Sequence, residues 1–117
     1  MINGVHAMFY TPQPDELRAF LRDKLGLPFV DTGGGWLIFS LGATEVGAHP
    51  ASESRQQLSF TCDDLPRTVA ELTARGVEFA GGISEQEWGW LTRFSLPGIG
   101  EVELFQPKYS LQGARPA

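Results

Sequence analysis

Two histidines, one cysteine and fourteen carboxylates are the groups from which this 117-residue chain can draw reactive chemistry. His6 and His49 without a nucleophile-elbow sequence do not read as a Ser–His–Asp hydrolase. Cys62 stands alone, so it can form neither an internal disulfide nor a thiolate metal cluster, and it reads as a small core residue. The run Gly33-Gly34-Gly35 is followed by no helix, which makes it a hairpin between strands rather than a phosphate loop. Strand parity is more informative, because successive side chains point to opposite faces. It puts His6, Met8 and Tyr10 opposite Val5, Ala7 and Phe9, and Gln57, Ser59 and Thr61 opposite Leu58, Phe60 and Cys62. It groups Glu45, Gly47 and His49 on one face, and sets Glu101, Glu103 and Phe105 opposite Val102 and Leu104. Each half of the chain thus offers metal-capable side chains near both its ends, on the face turned away from its helix. His49, next to Pro50, reads as the last residue before a linker.

Periodicity and punctuation give the helices and strands that hold these residues. Leu17, Phe20, Leu21 and Leu25 recur at helical spacing from Pro14 to Gly26, with Asp15 and Glu16 in the first turn. A second helix is predicted from Asp63 to Gly76, capped by Asp63 or Asp64, with Leu65, Val69 and Leu72 as its apolar stripe. Strands are predicted at Gly4–Tyr10, Trp36–Leu41, Thr44–His49, Gln57–Cys62, Leu91–Leu96 and Glu101–Phe105, with weaker ones at Phe29–Asp31 and Val77–Ala80. The order repeats. His6-Ala7-Met8-Phe9 lies over Gln57-Leu58-Ser59-Phe60 at an offset of 57 − 6 = 51, Gly26 and Phe29 over Gly76 and Phe79, and Phe39-Ser40-Leu41 over Phe94-Ser95-Leu96. Two βαβββ modules account for this: module one at about 4–49, a linker at 50–55, module two at about 56–107 and a tail at 108–117 with little reason to be ordered, all within one 1–117 domain.

Composition limits the partners. Apolar residues at 42% and charged residues at 20% support one globular core, and a formal charge of −5 with no basic run excludes nucleic acid as the expected partner. No stretch approaches the roughly 18 apolar residues of a membrane helix, and Met1–Tyr10 lacks a signal-peptide pattern, so a cytoplasmic protein with no membrane partner is expected.

The chain resembles the glyoxalase, bleomycin-resistance and extradiol-dioxygenase superfamily, the vicinal oxygen chelate proteins. The likeness covers essentially residues 4–107. It is carried by Gly4-Val5-His6, Leu25-Gly26-Leu27, Asp63-Asp64-Leu65, Trp88-Gly89 and the closing Gly100-Glu101-Val102-Glu103-Leu104-Phe105-Gln106-Pro107. The resemblance implies an α+β fold in which two βαβββ modules form a cup-shaped mixed sheet with helices outside. It also implies a divalent metal (Mn, Fe, Ni, Zn or Mg) held by His6, Gln57, Glu103 and Glu45, with Glu103 as the catalytic proton shuttle. The first module's carboxylate has two alignments. Matching Glu-Val pairs puts Glu45 over Glu101 and Gly47 over Glu103, whereas the family's habit of a Glu followed by an apolar residue favours Glu45, the reading adopted. Without Glu45, the remainder resembles a two-His-one-carboxylate triad with Gln in place of one His. The turn Pro97-Gly98-Ile99-Gly100 departs from the Asp-Pro-Asp-Gly type common among relatives.

The implied activity is that of a metal-dependent small-molecule enzyme of lyase, isomerase or dioxygenase type. A metal-free, antibiotic-binding protein of the bleomycin-resistance kind is the alternative. Trp36, Trp88 and Trp90 with Phe94 and Phe105 can line a substrate wall or form core or dimer interface, and parity assigns Trp90, Phe94 and Phe105 to the cup. An open sheet leaves edges and apolar surface to cover, so a homodimer is expected.

Overall fold

Each half carries a helix between its first strand and three further strands, the order that the repeat predicts. The protein is described by a computed structural model covering residues 1–97 and 99–114. The chain runs β1 (Ile2–Thr11), α1 (Pro14–Ala19), β2 (Phe29–Asp31), β3 (Leu37–Leu41), β4 (Thr44–Pro50), β5 (Arg55–Cys62), α2 (Leu65–Ala74), β6 (Phe79–Gln86), β7 (Gly89–Leu96) and β8 (Gly100–Pro107). The strands form one mixed eight-stranded sheet in the order β2-β3-β4-β1-β5-β8-β7-β6, so the fold is α+β. The chain folds as two compact units. One comprises His6–Gln57 with the segment beginning at Leu111, and the other Leu58–Ser110 with Met1–Val5. We call them the first and second units.

In the first unit, Leu21, Leu37, Phe39 and Val46 form a buried cluster, and Ala7, Phe9, Leu17, Leu27 and Phe29 pack against it. Ala7 and Phe9 are on the face that parity assigns to the core. The helical stripe is narrower than its spacing suggests, with Phe20 and Leu25 more than half exposed. The α-helix stops at Ala19 and continues over Phe20–Lys24 as a wider π-helical turn, in which Leu25 N–H donates to Phe20 O. Gly26 then ends the helix at φ +65°. The glycine run closes the β2–β3 hairpin as predicted, with Asp31 opposite Leu37 and the Asp31 carboxylate accepting from Gly33 and Gly35 N–H.

In the second unit, α2 is capped at both ends. The Asp64 side chain accepts from Arg67 N–H, and Gln106 of β8 accepts from Leu65 N–H at 2.8 Å. At the other end Val77 N–H reaches Leu72 O and Gly76 N–H reaches Thr73 O, a paired C-terminal closure that needs Gly76 at φ +90°. The helix covers Cys62, Leu65, Leu72, Phe94 and Leu104, with Phe60, Val69, Trp90, Leu96 and Val102 packed around them. Burial pushes the Cys62 thiol above its ordinary pKa.

Two expectations are corrected here. Trp90 and Phe94 belong to this helix-covered core. Residues paired across antiparallel strands share a face, and Phe94 is opposite Val102 while Arg93 is opposite Glu103. Leu58 has core parity yet is 64% exposed, because α2 packs over the Phe60–Cys62 end of β5 and not over its start. Smaller differences concern boundaries: β6 continues to Gln86, and β4 and β5 narrow the linker to 51–54. The tail begins anchored, since Lys108 N–H donates to Trp88 O and its ammonium to Glu85. Gly98 in the Pro97–Gly100 turn and residues 115–117 of the tail lie outside the described residues.

Two measurements test this packing. Leu104→Ala lowers unfolding free energy by about 3 kcal/mol in a urea titration, whereas Leu58→Ala stays within about 0.5 kcal/mol. Cys62 in the native protein resists iodoacetamide at mildly alkaline pH, because the raised pKa and burial keep it a protonated, shielded thiol, and it alkylates readily in denaturant.

Candidate functional site

On β1 and β4 the face away from α1 is built from three side-by-side pairs. His6 Nδ1 meets Glu45 Oε1 at 2.5 Å, Met8 lies beside Gly47, and the Tyr10 and His49 rings stand 5.1 Å apart. The sequence separation is 39 each time (45 − 6, 47 − 8, 49 − 10), which means that the two strands run parallel with one constant register. His6 and Glu45 are both buried, at 6% and 7% exposure. Two such groups taken from water are tolerable only when hydrogen-bonded to each other. A Cβ at Gly47 would come 3.2 Å from Met8 Sδ and 3.7 Å from His6 Nε2, so the missing side chain leaves the imidazole and thioether their space.

Gln57, at the end of the first unit, has its carboxamide oxygen engaged by the Tyr10 hydroxyl, which donates at 3.0 Å. The same Tyr10 ring lies 3.7 Å beneath the Arg55 guanidinium. Beyond it come His49, then Trp36 edge-on at 5.5 Å, then the Arg18 guanidinium 4.6 Å over the Trp36 ring. Arg18 is buried, donates to Ala48 O and Asp15, and keeps an Nε–H with no hydrogen-bond partner among the described residues. Sequence reading missed this row, in which the Tyr10, His49 and Trp36 rings stand between the Arg55 and Arg18 guanidiniums. Arg18 sits three residues before Leu21 on the helix's apolar side, the one available signal, and His49 is part of the row as well as the residue before the chain turn.

Glu103 lies in the second unit. There β5 and β8 are parallel with Ser59 opposite Glu103, a separation of 44. Its side chain is 15% exposed and one carboxylate oxygen is 4.0 Å from Arg93 on β7. Ser59 and Thr61 on the same face are buried, with Thr61 donating to Asn3. Phe105 shares this face and meets Trp88 edge-on at 5.3 Å. With the repeat offset of 51 carrying Met8 to Ser59, Gly47 beside Met8 is duplicated by Glu103 opposite Ser59, and two residues earlier along the sequence Glu45 by Glu101. The strand register is therefore that of the Glu-Val alignment.

Among the four candidate metal donors, the structure joins His6 to Glu45, ties Gln57 to Tyr10 and sets Glu103 near Arg93. Among the described residues, no three His, Cys, Asp or Glu side chains gather at metal-ligand spacing. An imidazole nitrogen, a carboxamide oxygen and a carboxylate nevertheless suit a borderline-to-hard dication in donor chemistry.

The sequence pattern described as the Glyoxalase/Bleomycin resistance protein/Dioxygenase superfamily matches residues 5–102. The chain belongs to this superfamily. The match spans β1 to the early part of β8 and stops one residue before Glu103. No curated protein matches the sequence. Similar solved structures include methylmalonyl-CoA epimerase from Mycobacterium tuberculosis, with a TM-score of 0.66 and 15% identity over 97% of this chain and 93% of that one. A protein described as an NAD-dependent benzaldehyde dehydrogenase from Legionella pneumophila aligns with a TM-score of 0.63 and 13% identity over 89% and 99%. The halotolerant catechol dioxygenase BphC aligns with a TM-score of 0.60 and 19% identity, covering 99% of this chain and 43% of that one. At these identities the superfamily member shares their fold, and its chemistry rests on its own residues.

Tyr10→Phe removes the hydroxyl that holds Gln57 and costs about 1 kcal/mol of stability, read as a lower urea midpoint at unchanged slope.

Proposed function

We propose that this superfamily member is a divalent-metal-dependent enzyme acting on a small molecule, of lyase, isomerase or dioxygenase type. Its metal donors in this reading are His6, Gln57 and Glu103, with Glu45 beside His6. The observation that carries the reading is the buried imidazole–carboxylate pair on the helix-free face, since a plain scaffold gains nothing by burying His6 and Glu45 there. The donor set suits Mn, Fe, Ni, Zn or Mg. A bound dication would supply Lewis acidity toward neighbouring substrate oxygens and stabilise an oxyanion.

The chain's own residues do the remaining work. The Tyr10 hydroxyl fixes the Gln57 carboxamide, and the Glu103 carboxylate, 4.0 Å from Arg93, is the group that would take a proton from a substrate carbon or oxygen. Returning that proton at a second substrate position is isomerase chemistry; delivering it to a leaving group as the bond to that group breaks is lyase chemistry. Apolar side chains left exposed at Phe20, Leu25 and Leu58 supply surface for a second copy, in keeping with a cytoplasmic homodimer. No helix among the described residues is long and apolar enough to cross a membrane.

A second reading, a metal-free small-molecule binder, is favoured by the row Arg55, Tyr10, His49 and Trp36, which offers ring faces and a cation to a flat ligand. Elemental analysis of protein purified without chelator separates the two. The enzyme reading expects roughly one divalent ion per chain and a thermal shift with Mn²⁺, Ni²⁺ or Zn²⁺ that His6→Ala and Glu103→Ala abolish. Protein that carries no metal and shows no shift overturns it, and Trp fluorescence quenching by a compound regardless of EDTA supports the binder.

A further inference from the structure

We infer that the row of Arg55, Tyr10, His49 and Trp36 is a binding site for an aromatic carboxylate, with Arg55 taking the carboxylate and the rings taking the flat body. This names the ligand class for the row that supports the second reading above, and it rests on that reading for where the ligand lies. Every member of the row, and Arg18 behind it, belongs to the first unit.

Charge points to an anion. Fourteen carboxylates against nine lysines and arginines make an acidic partner easy for a cation to find in this chain. Arg18, Arg22, Arg67, Arg93 and Lys108 each have a carboxylate oxygen within 4.0 Å. Arg55 has none among the described residues, and its guanidinium lies 3.7 Å over the Tyr10 ring. A guanidinium stacked by its face keeps its fork of N–H donors at the edge, and that fork matches the two oxygens of a carboxylate. Arg18 closes the far end, 4.6 Å over Trp36 and 8% exposed, with an Nε–H that no described residue accepts. Asp15, whose side chain is almost fully solvated, is the only carboxylate within 4.0 Å of either guanidinium among the described residues. The row therefore carries a positive field inside an acidic protein.

The rings are held in place by the protein itself. Tyr10 is fixed through its hydroxyl on Gln57 at 3.0 Å, and His49 through Nδ1 against the Pro50 carbonyl oxygen at 2.7 Å. Trp36 is fixed by Arg18 and by backbone hydrogen bonds with Thr32 and Gly33. His49 is exposed while Tyr10 and Trp36 are half-buried, so this fixed aromatic surface still meets solvent. Ring faces and an oriented cation that need no reordering suit a rigid, planar anion, whereas a cationic ligand meets two guanidiniums of its own sign.

Calorimetry in EDTA with 2-naphthoate, neutral 2-naphthamide, cationic 2-naphthylmethylamine and acetate tests this, with the indole N–H NMR signals of the three tryptophans as local reporters. 2-Naphthoate is expected to bind about 10-fold or more tighter than the amide and to move the Trp36 signal, leaving those of Trp88 and Trp90 in place. Arg55→Gln, at an exposed position, is expected to weaken 2-naphthoate by about 10–100-fold and leave 2-naphthamide unchanged, with Arg55→Lys between. Equal or tighter binding of the amide or the amine at Trp36 leaves the binder reading standing and overturns the anion assignment, as does wild-type affinity for 2-naphthoate in Arg55→Gln. Acetate that binds as tightly as 2-naphthoate overturns the role of the rings. Shifts at Trp88 or Trp90 with Trp36 unmoved place the ligand elsewhere and overturn the site. Absence of binding by every ring compound sinks the second reading and the inference together.

Discussion

Parallel pairing between the first and last strands of a module is the constraint on which the rest depends. Parallel neighbours cannot be joined by a tight turn, so a crossover is required, and in the second unit α2 supplies the helix on the way from β5 to β8. The helix must bury its apolar stripe, and it does so on one face of those strands, against Phe60, Cys62, Leu104 and Val102. Alternation then leaves the other face to Ser59, Thr61, Glu103 and Phe105. In the first unit the same logic divides Ala7 and Phe9 from His6, Met8 and Tyr10. One pairing thus settles which residues become core and which become available for chemistry.

The uncovered faces are polar yet substantially buried, and this sets their energetics. A buried donor or acceptor left unmatched costs about 1–3 kcal/mol, so nearly every such group here is engaged locally. His6 finds Glu45, Gln57 finds Tyr10, Thr61 finds Asn3, and Arg18 finds Ala48 O. The Nε–H of Arg18 is left over, and its guanidinium is steadied by the Trp36 ring instead. The two equivalent strand positions, His6 and Gln57, are thus restrained by different partners.

Much of this is legible in the residues alone. The Leu17/Leu21 and Leu65/Val69/Leu72 spacing, the closing Gly26 and Gly76, and alternation along β1 and β8 define the elements and their core faces. The offset of 51 between His6 and Gln57 reveals the duplication. Whatever depends on partners remote in sequence stays hidden. Trp90 and Phe94 take a definite face only through the pairing of Phe94 with Val102, and Leu58 has core parity with no sign that α2 falls short of it. The choice between Glu45 and Gly47 is a register question between strands some forty residues apart, and two equally good local alignments answer it differently. Arg18 over Trp36 escapes notice because a cation stacked on a ring remote in sequence has no periodic signature.

The sheet ends in β6, whose backbone pairing with β7 loses register between Ala80 and Ser84, around Gly81 and Gly82. A straight outer strand offers a continuous ladder of amide groups on which foreign chains can template themselves. The bulge interrupts that ladder, and the strand resumes as the short polar run Ser84-Glu85-Gln86, with Glu85 tied to Lys108. At the opposite end, β2 is three residues long. Both margins are thereby poor templates for edge-to-edge pairing with another chain.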